Sequence, residues 1–301
     1  MPILNEGSQK ASDVALTQCT LVSPTGMSVE VLELLTELNI FEDLFANCMT
    51  GNLVLNDSNN LINTLPIMGY EFLIVQFQKP NSPLTFKKIF RVYKMTDRQR
   101  VTEQNETYIL HFASEELLLS EQLLISRTYT DQLISKMVLD IAQQYLKIAT
   151  TKFPLSQLDP TQGLHTITIP GWHPLYAINF LARYALSNYT SASYVFYEDR
   201  HGYHFTSIES LTAGSVIQSL ILTPKNMGFE RSSAITDAQL QHEGADAIAF
   251  PESFDTLRNI YSGMYAGVLI GVDPLRQRIT TTSYNAGAQF QQTQHLPPAD
   301  C

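Results

Sequence analysis

Residues Thr36–Phe77 read TELNIFEDLFANCMTGNLVLNDSNNLINTLPIMGYEFLIVQF, and this stretch decides the fold. Apolar and polar residues alternate over Gly51–Asp57 and again over Phe72–Phe77, a period of two that is typical of antiparallel strands with a buried face. Asn56–Asn60 supplies turn and helix-capping side chains between them. We therefore predict a strand, a short loop, a strand, a short helix and a strand. A sheet built in this way has long edges, and those edges need partners.

Strand-like patterning continues on both sides of this stretch, after a polar arm at Met1–Ser12. Lys79–Pro83 predicts a hairpin break, because proline removes a backbone donor and presets the turn. Six or seven antiparallel strands in about a hundred residues predict a small barrel or sandwich. The predicted strands lie near Val14–Val22, Ser28–Glu33, Glu37–Leu44, Met49–Asn56, Tyr70–Gln78, Phe86–Thr96 and Thr102–Ala113.

The middle of the chain has a helical composition. Ser114 predicts a helix N-cap, with the acidic Glu115 and Glu116 in the first turn. A second amphipathic helix is predicted over about Asp131–Ile148. Pro170–Ala185 then predicts a helix with a buried face formed by Ile178, Leu181, Ala182 and Ala185.

A β-hairpin follows these helices, and the rest of the chain returns to strands. The predicted hairpin pairs Tyr194–Glu198 with Tyr203–Thr206, and Gly202 occupies the left-handed position of its turn. From Gly214 the patterning is again strand-like, most clearly over Gly263–Asp273 and Gln277–Ser283. The final residues, Gln289–Cys301, are polar.

Composition and charge exclude several classes of protein. Hydrophobic residues make up 44% of the 301 residues and charged residues 16%, which favours a packed interior and argues against disorder. The net charge is −10, and no basic stripe of the kind needed for tight nucleic-acid binding is present. The sequence shows neither an apolar signal segment nor a membrane-spanning run.

Cysteine usage points to a reducing compartment. The three cysteines, Cys19, Cys48 and Cys301, are too few and too far apart for a disulfide framework or a zinc site. Cys19 and Cys48 lie in strand-like contexts, where we interpret them as small buried apolar residues.

Candidates for catalysis are weak. The neighbouring carboxylates at Glu42–Asp43, Glu115–Glu116 and Glu198–Asp199 have the wrong spacing on strands for an acid–base pair across a cleft. His201 and His204, with Glu198 and Asp199, are the one cluster that resembles a metal site, but we interpret them as hairpin surface residues. His173 is interpreted as a residue at the start of a helix. We predict no catalytic, cofactor-binding or metal-binding residues.

Two further patterns have structural interpretations. Gly263 and Gly267 show the G-x-x-x-G spacing of membrane helices, but their context favours a soluble strand. An aromatic residue recurs every four positions from Trp172 through Tyr184, and we predict that this stripe packs a helix against a sheet. The stripe consists of Trp172, Tyr176, Phe180 and Tyr184.

Three stretches taken together resemble the central baseplate hub proteins of contractile-tailed phages, of the T-even and cyanophage type. They are Thr36–Phe77, Pro170–Ala185 with the hairpin after it, and Asp255–Ala266, and the resemblance spans roughly residues 13 to 285. It implies an α+β, mainly β fold with two tail-tube-like antiparallel β-barrel domains and an inserted helix-rich α/β domain. The implied domains are 1–113, a first barrel with its N-terminal arm; 114–212, the inserted domain with the hairpin; and 213–301, a second, incomplete tube-like domain with a polar tail.

The resemblance also implies a structural role without enzymatic activity or cofactors. A hub of this family is a homotrimer that joins the hexameric tail tube to the trimeric central spike and lines the channel for DNA ejection. The implied partners are further copies of the chain, the tube and spike proteins, other baseplate proteins and the tape-measure protein, with DNA only in transit and no stable membrane binding. The implied location is the virion tail baseplate, after assembly in the host cytoplasm.

Two other functions stay open from the sequence. A β-rich receptor- or carbohydrate-binding tail protein predicts exposed aromatic platforms. A cell-wall hydrolase requires a converging pair of carboxylates or histidines, for which His201 and His204 are the candidates.

Overall fold

The computed structural model describes residues 14–65, 67–78, 85–102, 105–188, 192–213, 221–222, 244–245 and 255–290. The chain forms two compact units, Met1–Gly214 and Ser215–Cys301. The fold is mainly β. The division into three domains at residues 113 and 212 stays a prediction. The predicted N-terminal arm, the Lys79–Pro83 break and most of the polar C-terminal segment lie outside the described residues.

A seven-stranded antiparallel sheet forms the first part of unit 1, in the order β2-β1-β5-β6-β7-β4-β3. The decisive stretch is confirmed as strand, loop, strand, helix and strand. The elements are β1 (Ala15–Val22), β2 (Ser28–Glu30), β3 (Leu35–Phe41), β4 (Thr50–Asp57), α1 (Leu61–Thr64), β5 (Phe72–Gln78), β6 (Thr85–Arg100) and β7 (Glu106–Ser114).

The connection between β2 and β3 forces this sheet to curl. These strands lie at opposite ends of the sheet, yet they are consecutive in the sequence. Five residue steps from Glu30 to Leu35 span at most about 18 Å, whereas six strand spacings in a flat sheet measure about 29 Å. The link is itself a turn, because the amide of Leu34 donates to the carbonyl of Val31 at 3.0 Å. The sheet is therefore rolled, with its two end strands close together.

One face of the sheet encloses a hydrophobic core. Alternate residues of β4 point inward, so that Leu53 and Leu55 are fully buried beside Phe90 and Phe112. Gly51 is required at its position in β4 because a Cβ atom there would lie 2.3 Å from the carbonyl oxygen of Asn39.

The second part of unit 1 has its own hydrophobic cluster, which includes residues of α3, α4 and the β10–β11 hairpin. Its elements are α2 (Glu115–Gln122), β8 (Ile125–Gln132), α3 (Ile134–Gln144), a short 3-10 helix (Leu155–Gln157), β9 (His165–Trp172), α4 (Pro174–Ala182), β10 (Tyr194–Asp199), β11 (Gly202–Ser207) and α5 (Ile208–Thr212).

Several predictions for this part need correction. The helix predicted over Asp131–Ile148 is shorter, because β8 occupies its first residues. The segment predicted as a helix from Pro170 begins as strand β9, and the proline of the first helical turn is Pro174. The buried face of α4 is confirmed, and so is the hairpin, in which Gly202 has a φ of +131°.

The described residues of unit 2 form few elements. These are β12 (Ile221–Leu222), β13 (Gly244–Ala245), α6 (Thr256–Tyr261), β14 (Ala266–Asp273), β15 (Arg278–Asn285) and α7 (Ala286–Gln289). β14 and β15 form an antiparallel hairpin, as predicted for Gly263–Asp273 and Gln277–Ser283. The remaining strand-like patterning between Gly214 and Asp255 lies largely outside the described residues.

Candidate assembly surfaces

The predicted carboxylate neighbours do not converge. Glu115 forms an ion pair with Arg91 at 2.9 Å, whereas Glu116 is buried and faces Lys152 at 3.3 Å. In the loop after β3, Asp43 accepts a hydrogen bond from the amide of Phe45 at 2.9 Å. Each of these carboxylates has a local structural partner.

Glu198 belongs to a buried network that joins the β10–β11 hairpin to the seven-stranded sheet. Its carboxylate forms an ion pair with Lys88 of β6. It also accepts hydrogen bonds from the amide of Met49 at 2.9 Å and from the hydroxyl of Ser114 at 2.5 Å. Buried charges are tolerated when they are paired and hydrogen-bonded in this way. The network fixes the hairpin to the sheet. The residues that bind Glu198 are far from it in the sequence.

This network corrects the interpretation of Ser114. Helix α2 does begin after Ser114, with Glu115 and Glu116 in its first turn. The Ser114 hydroxyl makes no capping hydrogen bond and donates to Glu198 instead.

The two described cysteines are unreactive. Burial raises the pKa of the Cys19 thiol to about 12, with a smaller contribution from the charge of Glu30. Burial also raises the pKa of the Cys48 thiol, which lies 3.8 Å from the hydroxyl of Tyr203. A thiol with a raised pKa stays protonated at neutral pH and is a poor nucleophile. Cys48 lies in the loop before β4 and not in a strand, and Cys301 lies outside the described residues.

The histidines of the hairpin do not form a metal site with their neighbours. Asp199 accepts hydrogen bonds from the backbone amides of His201 and Gly202 at 2.7 and 3.0 Å. The His204 ring stacks on Tyr197, with its Nε2 atom 3.1 Å from Oδ1 of Asp199. Glu198 points into the buried network. Among the described residues, no group of three or more His, Cys, Asp or Glu side chains is arranged to hold a metal ion.

His173 lies at the start of a helix, as the sequence predicts. It is the N-cap residue of α4, and its Nδ1 atom lies 3.0 Å from the carbonyl oxygens of Ser120 and Leu123. These contacts tie the start of α4 to the end of α2.

The predicted packing role of the aromatic stripe is wrong for Tyr176 and Tyr184, whereas Trp172 does pack in part against the hydrophobic core. Tyr176 and Tyr184 are 57% and 54% exposed. Trp172 contacts Tyr176 and Phe180 with ring centroids 5.3 and 4.7 Å apart, and Phe180 contacts Tyr184 at 4.9 Å. The stripe therefore forms a ladder of contacting rings from the partly buried Trp172 to the exposed Tyr184, while the opposite side of α4 faces the core. Because α4 is apolar on both sides, sequence periodicity could not separate them.

Several strand edges lack partners among the described residues, including those at both ends of the seven-stranded sheet and those of the β14–β15 hairpin. In unit 1, β3 pairs with β4 on one side alone, so that its other edge is open. In unit 2, β14 and β15 pair with each other and with no other described strand. Four apolar residues that share one face of this hairpin are 62–69% exposed, namely Val268, Ile270, Val272 and Ile279.

Sequence comparisons do not assign this chain to a family, since no family model and no curated protein matches it. Solved structures do match. A tail protein from Neisseria meningitidis is 10% identical, with a TM-score of 0.44, and the match covers 70% of this chain and 56% of that one. A component of the Escherichia coli type VI secretion system, described as structurally similar to the T4 bacteriophage tail proteins gp27 and gp5, is 12% identical with a TM-score of 0.37.

That second match covers 73% of this chain and 52% of the other. A Francisella PdpA–VgrG complex gives 9% identity, a TM-score of 0.39 and coverage of 69% and 34%. The chain thus spans little more than half the length of the first two structures. At these identities and TM-scores, the likeness carries no functional conclusion for this chain.

None of the described helices is long and apolar enough to cross a membrane.

Proposed function

We propose that this chain is a structural virion protein, a trimeric hub at the tip of a contractile phage tail that joins the hexameric tube to the trimeric spike. The observation that carries the proposal is the β14–β15 hairpin, whose apolar face is exposed along its whole length. An isolated two-stranded hairpin is marginally stable at best in water. Such a hairpin gains stability when further strands or an apolar surface cover it, as happens in an assembled ring.

The open edge of β3 supports the same proposal. An unpaired strand edge presents a row of backbone donors and acceptors that can bind a strand of another chain. A ring closes such contacts and prevents growth into a fibre. The resemblance of the sequence to the hub family supports a ring with three subunits, each contributing two tube-like domains. The net charge of −10 supports a channel through which DNA passes in transit without binding.

The oligomeric state of the purified full-length chain tests the proposal. We expect light scattering to give the mass of a trimer, and negative-stain images to show a three-fold ring with a pseudo-six-fold outline. Mixing with tail-tube protein is expected to give a complex in which the ring caps the tube. A chain that stays monomeric at all concentrations, with no pore, contradicts the proposal.

The aromatic ladder on α4 favours a second candidate, a carbohydrate- or receptor-binding tail protein. Exposed aromatic rings can stack on ligands and contribute substantially to binding at interfaces. This candidate predicts binding to host surface glycans that is lost in Trp172→Ala and Tyr176→Ala, with assembly unaffected. The hub proposal predicts no glycan binding by either the parent chain or these variants.

A further inference from the structure

Unit 1 contains two hydrophobic clusters, and each belongs to one continuous part of the chain. The cluster of the seven-stranded sheet lies within residues 14–114, which we call the sheet part, and the second cluster lies within residues 115–213, the helical part. Among the described residues, Cys48 is the one member of the second cluster that comes from the sheet part. The chain passes between the two parts once, from Ser114 to Glu115.

Polar contacts join the two parts, and we call this set of contacts the joint. The side-chain amides of Asn47 and Asn179 exchange hydrogen bonds at 2.9 and 2.8 Å, and Asn47 also donates to the carbonyl of Phe196 at 3.0 Å. Arg91 forms an ion pair across the joint with Glu115. Because each part buries its own apolar residues, the joint adds little hydrophobic stabilisation, and interfaces of this kind permit relative motion.

Glu198 makes the buried contact of the joint. It lies in the helical part and is 3% exposed, and its partners Lys88, Met49 and Ser114 all lie in the sheet part. Opening of the joint therefore breaks these contacts together. When the carboxylate and the ammonium group separate, both return to water, and their hydration offsets much of the attraction of a buried ion pair. The pair thus fixes one geometry of the joint without making its opening very unfavourable.

We propose that the joint opens while both hydrophobic clusters stay folded, and that Glu198 is the latch that holds it closed. Loss of the carboxylate alone leaves Lys88 buried without a counter-charge in the closed joint but solvated in the open one, so that the loss favours opening. Glu198 is therefore a positioning residue for the helical part. The inference concerns a single chain and does not depend on the proposed assembly.

Thiol labelling tests the opening, because one native cysteine lies in the joint and another does not. Cys48 is 5% exposed and packs in the cluster of the helical part, whereas Cys19 is fully buried within the sheet cluster. In the full-length chain with Cys301→Ser, we expect a small maleimide to label Cys48 faster than Cys19 without denaturant, because a local opening exposes Cys48 alone. Mass spectrometry of the digested protein gives the labelling ratio, which is the rate at Cys48 divided by the rate at Cys19.

Three variants identify the latch. Glu198→Gln is expected to raise the labelling ratio about ten-fold or more, since the closed joint then holds an unpaired charge. Addition of Lys88→Met removes that charge and is expected to return the ratio towards that of the parent chain, because uncharged groups can replace both members of a buried ion pair at little cost. Leu53→Ala is the matched control. It destabilises the sheet cluster, to which Leu53 belongs, and is expected not to raise the ratio.

The outcomes separate opening, latch and assembly. Equal labelling rates at the two cysteines in every variant overturn the opening, because unfolding of the whole unit then exposes both. A ratio that Glu198→Gln leaves unchanged, that Leu53→Ala raises equally, or that stays high after addition of Lys88→Met overturns the role of Glu198 as the latch.

Two further results keep the test decisive. If Glu198→Gln fails to fold by circular dichroism, Ser114→Ala removes one donor to the same carboxylate and is also expected to raise the labelling ratio. A chain that is monomeric at all concentrations contradicts the hub proposal and leaves the opening joint standing, whereas an assembling chain with equal labelling rates does the reverse.

Discussion

The β4 strand of unit 1 and the β14 strand of unit 2 have the same length but opposite environments, although β14 carries more apolar residues. Both strands have eight residues. In β4 alternate side chains are buried, because β3 and β7 flank the strand and a core covers one face. In β14 six of the eight residues are exposed.

This contrast shows that strand sequences alone do not determine burial. The apolar residues of β4 stabilise unit 1 internally, since about 25 cal/mol is gained for each Å² of apolar surface removed from water. The apolar residues of β14 gain little of this energy in the isolated chain. Its apolar side chains therefore remain largely exposed in the isolated chain.

The largest effect is expected at the buried ion pair of unit 1. Glu198→Gln removes the carboxylate that faces Lys88, and the free energy of unfolding is expected to fall by about 3–5 kcal/mol, because a buried charge is left unpaired. Glu106→Gln is the matched control, since its pair with Arg98 at 2.8 Å is at the surface, and we expect a loss of about 0–1 kcal/mol. Urea unfolding followed by Trp172 fluorescence measures both, and equal losses would show that burial adds nothing to this pair.

The two strands themselves can be compared by the same substitution. Leu53→Ala in β4 is expected to lower the free energy of unfolding of unit 1 by about 2–5 kcal/mol, because it leaves a cavity in the core. Leu269→Ala in β14, where the side chain is 70% exposed, is expected to leave that energy unchanged.

Chemical unfolding of the dilute monomer measures the effect of each substitution on the stability of the single chain. Sedimentation of the protein at higher concentration measures its effect on assembly. If Leu269→Ala destabilises the dilute monomer as much as Leu53→Ala does, the hairpin is supported within its own chain and the contrast is lost.

The parts of the fold that depend on local alternation could be predicted, and the parts that depend on distant contacts could not. The period of two over Gly51–Asp57 identified β4 correctly, because one face of that strand meets a core. The buried polar side of helix α2 could not be predicted, because burial of Glu116 depends on Lys152 and burial of Ser120 depends on Leu175. From the sequence, Glu198 was considered as one of two neighbouring carboxylates and as part of the cluster with His201 and His204. Its structural role could not be predicted, since its partners Lys88 and Ser114 are about a hundred residues away.

A smaller effect is expected at the loop between β4 and α1. Asp57 is buried, and its carboxylate accepts from the amides of Asn59 and Leu61 at 3.0 and 2.7 Å. Asp57→Ala leaves these donors unsatisfied, so we expect a loss of about 1–3 kcal/mol in the free energy of unfolding. Asn285 holds a similar position before α7 and accepts from the amide of Ala288 at 3.2 Å.

Because Asn285 precedes an exposed helix in unit 2, Asn285→Ala is expected to leave the unfolding of unit 1 unchanged. Thermal unfolding of both variants makes the comparison. A similar fall in the two melting temperatures contradicts the expectation that the Asp57 contacts stabilise unit 1 and the Asn285 contact does not.

The smallest expected effect depends on pH. Burial raises the pKa of Tyr194 to about 12, with smaller contributions from the charges of Asp159 and Glu209. In the unfolded chain a tyrosine has a pKa of about 10. The neutral phenol therefore contributes its full stability below pH 10, and this contribution is lost as the pH rises from 10 towards 12.

Tyr194→Phe removes this titration together with the hydrogen bond from the hydroxyl to the carbonyl of Pro160 at 2.9 Å. We expect a loss of about 1 kcal/mol at pH 7 and a shallower decline of stability between pH 10 and 12 than in the parent chain. Tyr261→Phe is the control in unit 2, where the ring is 90% exposed, and it is expected to leave the free energy of unfolding at pH 7 unchanged. Parallel profiles for parent and Tyr194→Phe would mean that the phenol meets the same environment folded and unfolded, which contradicts its burial in unit 1.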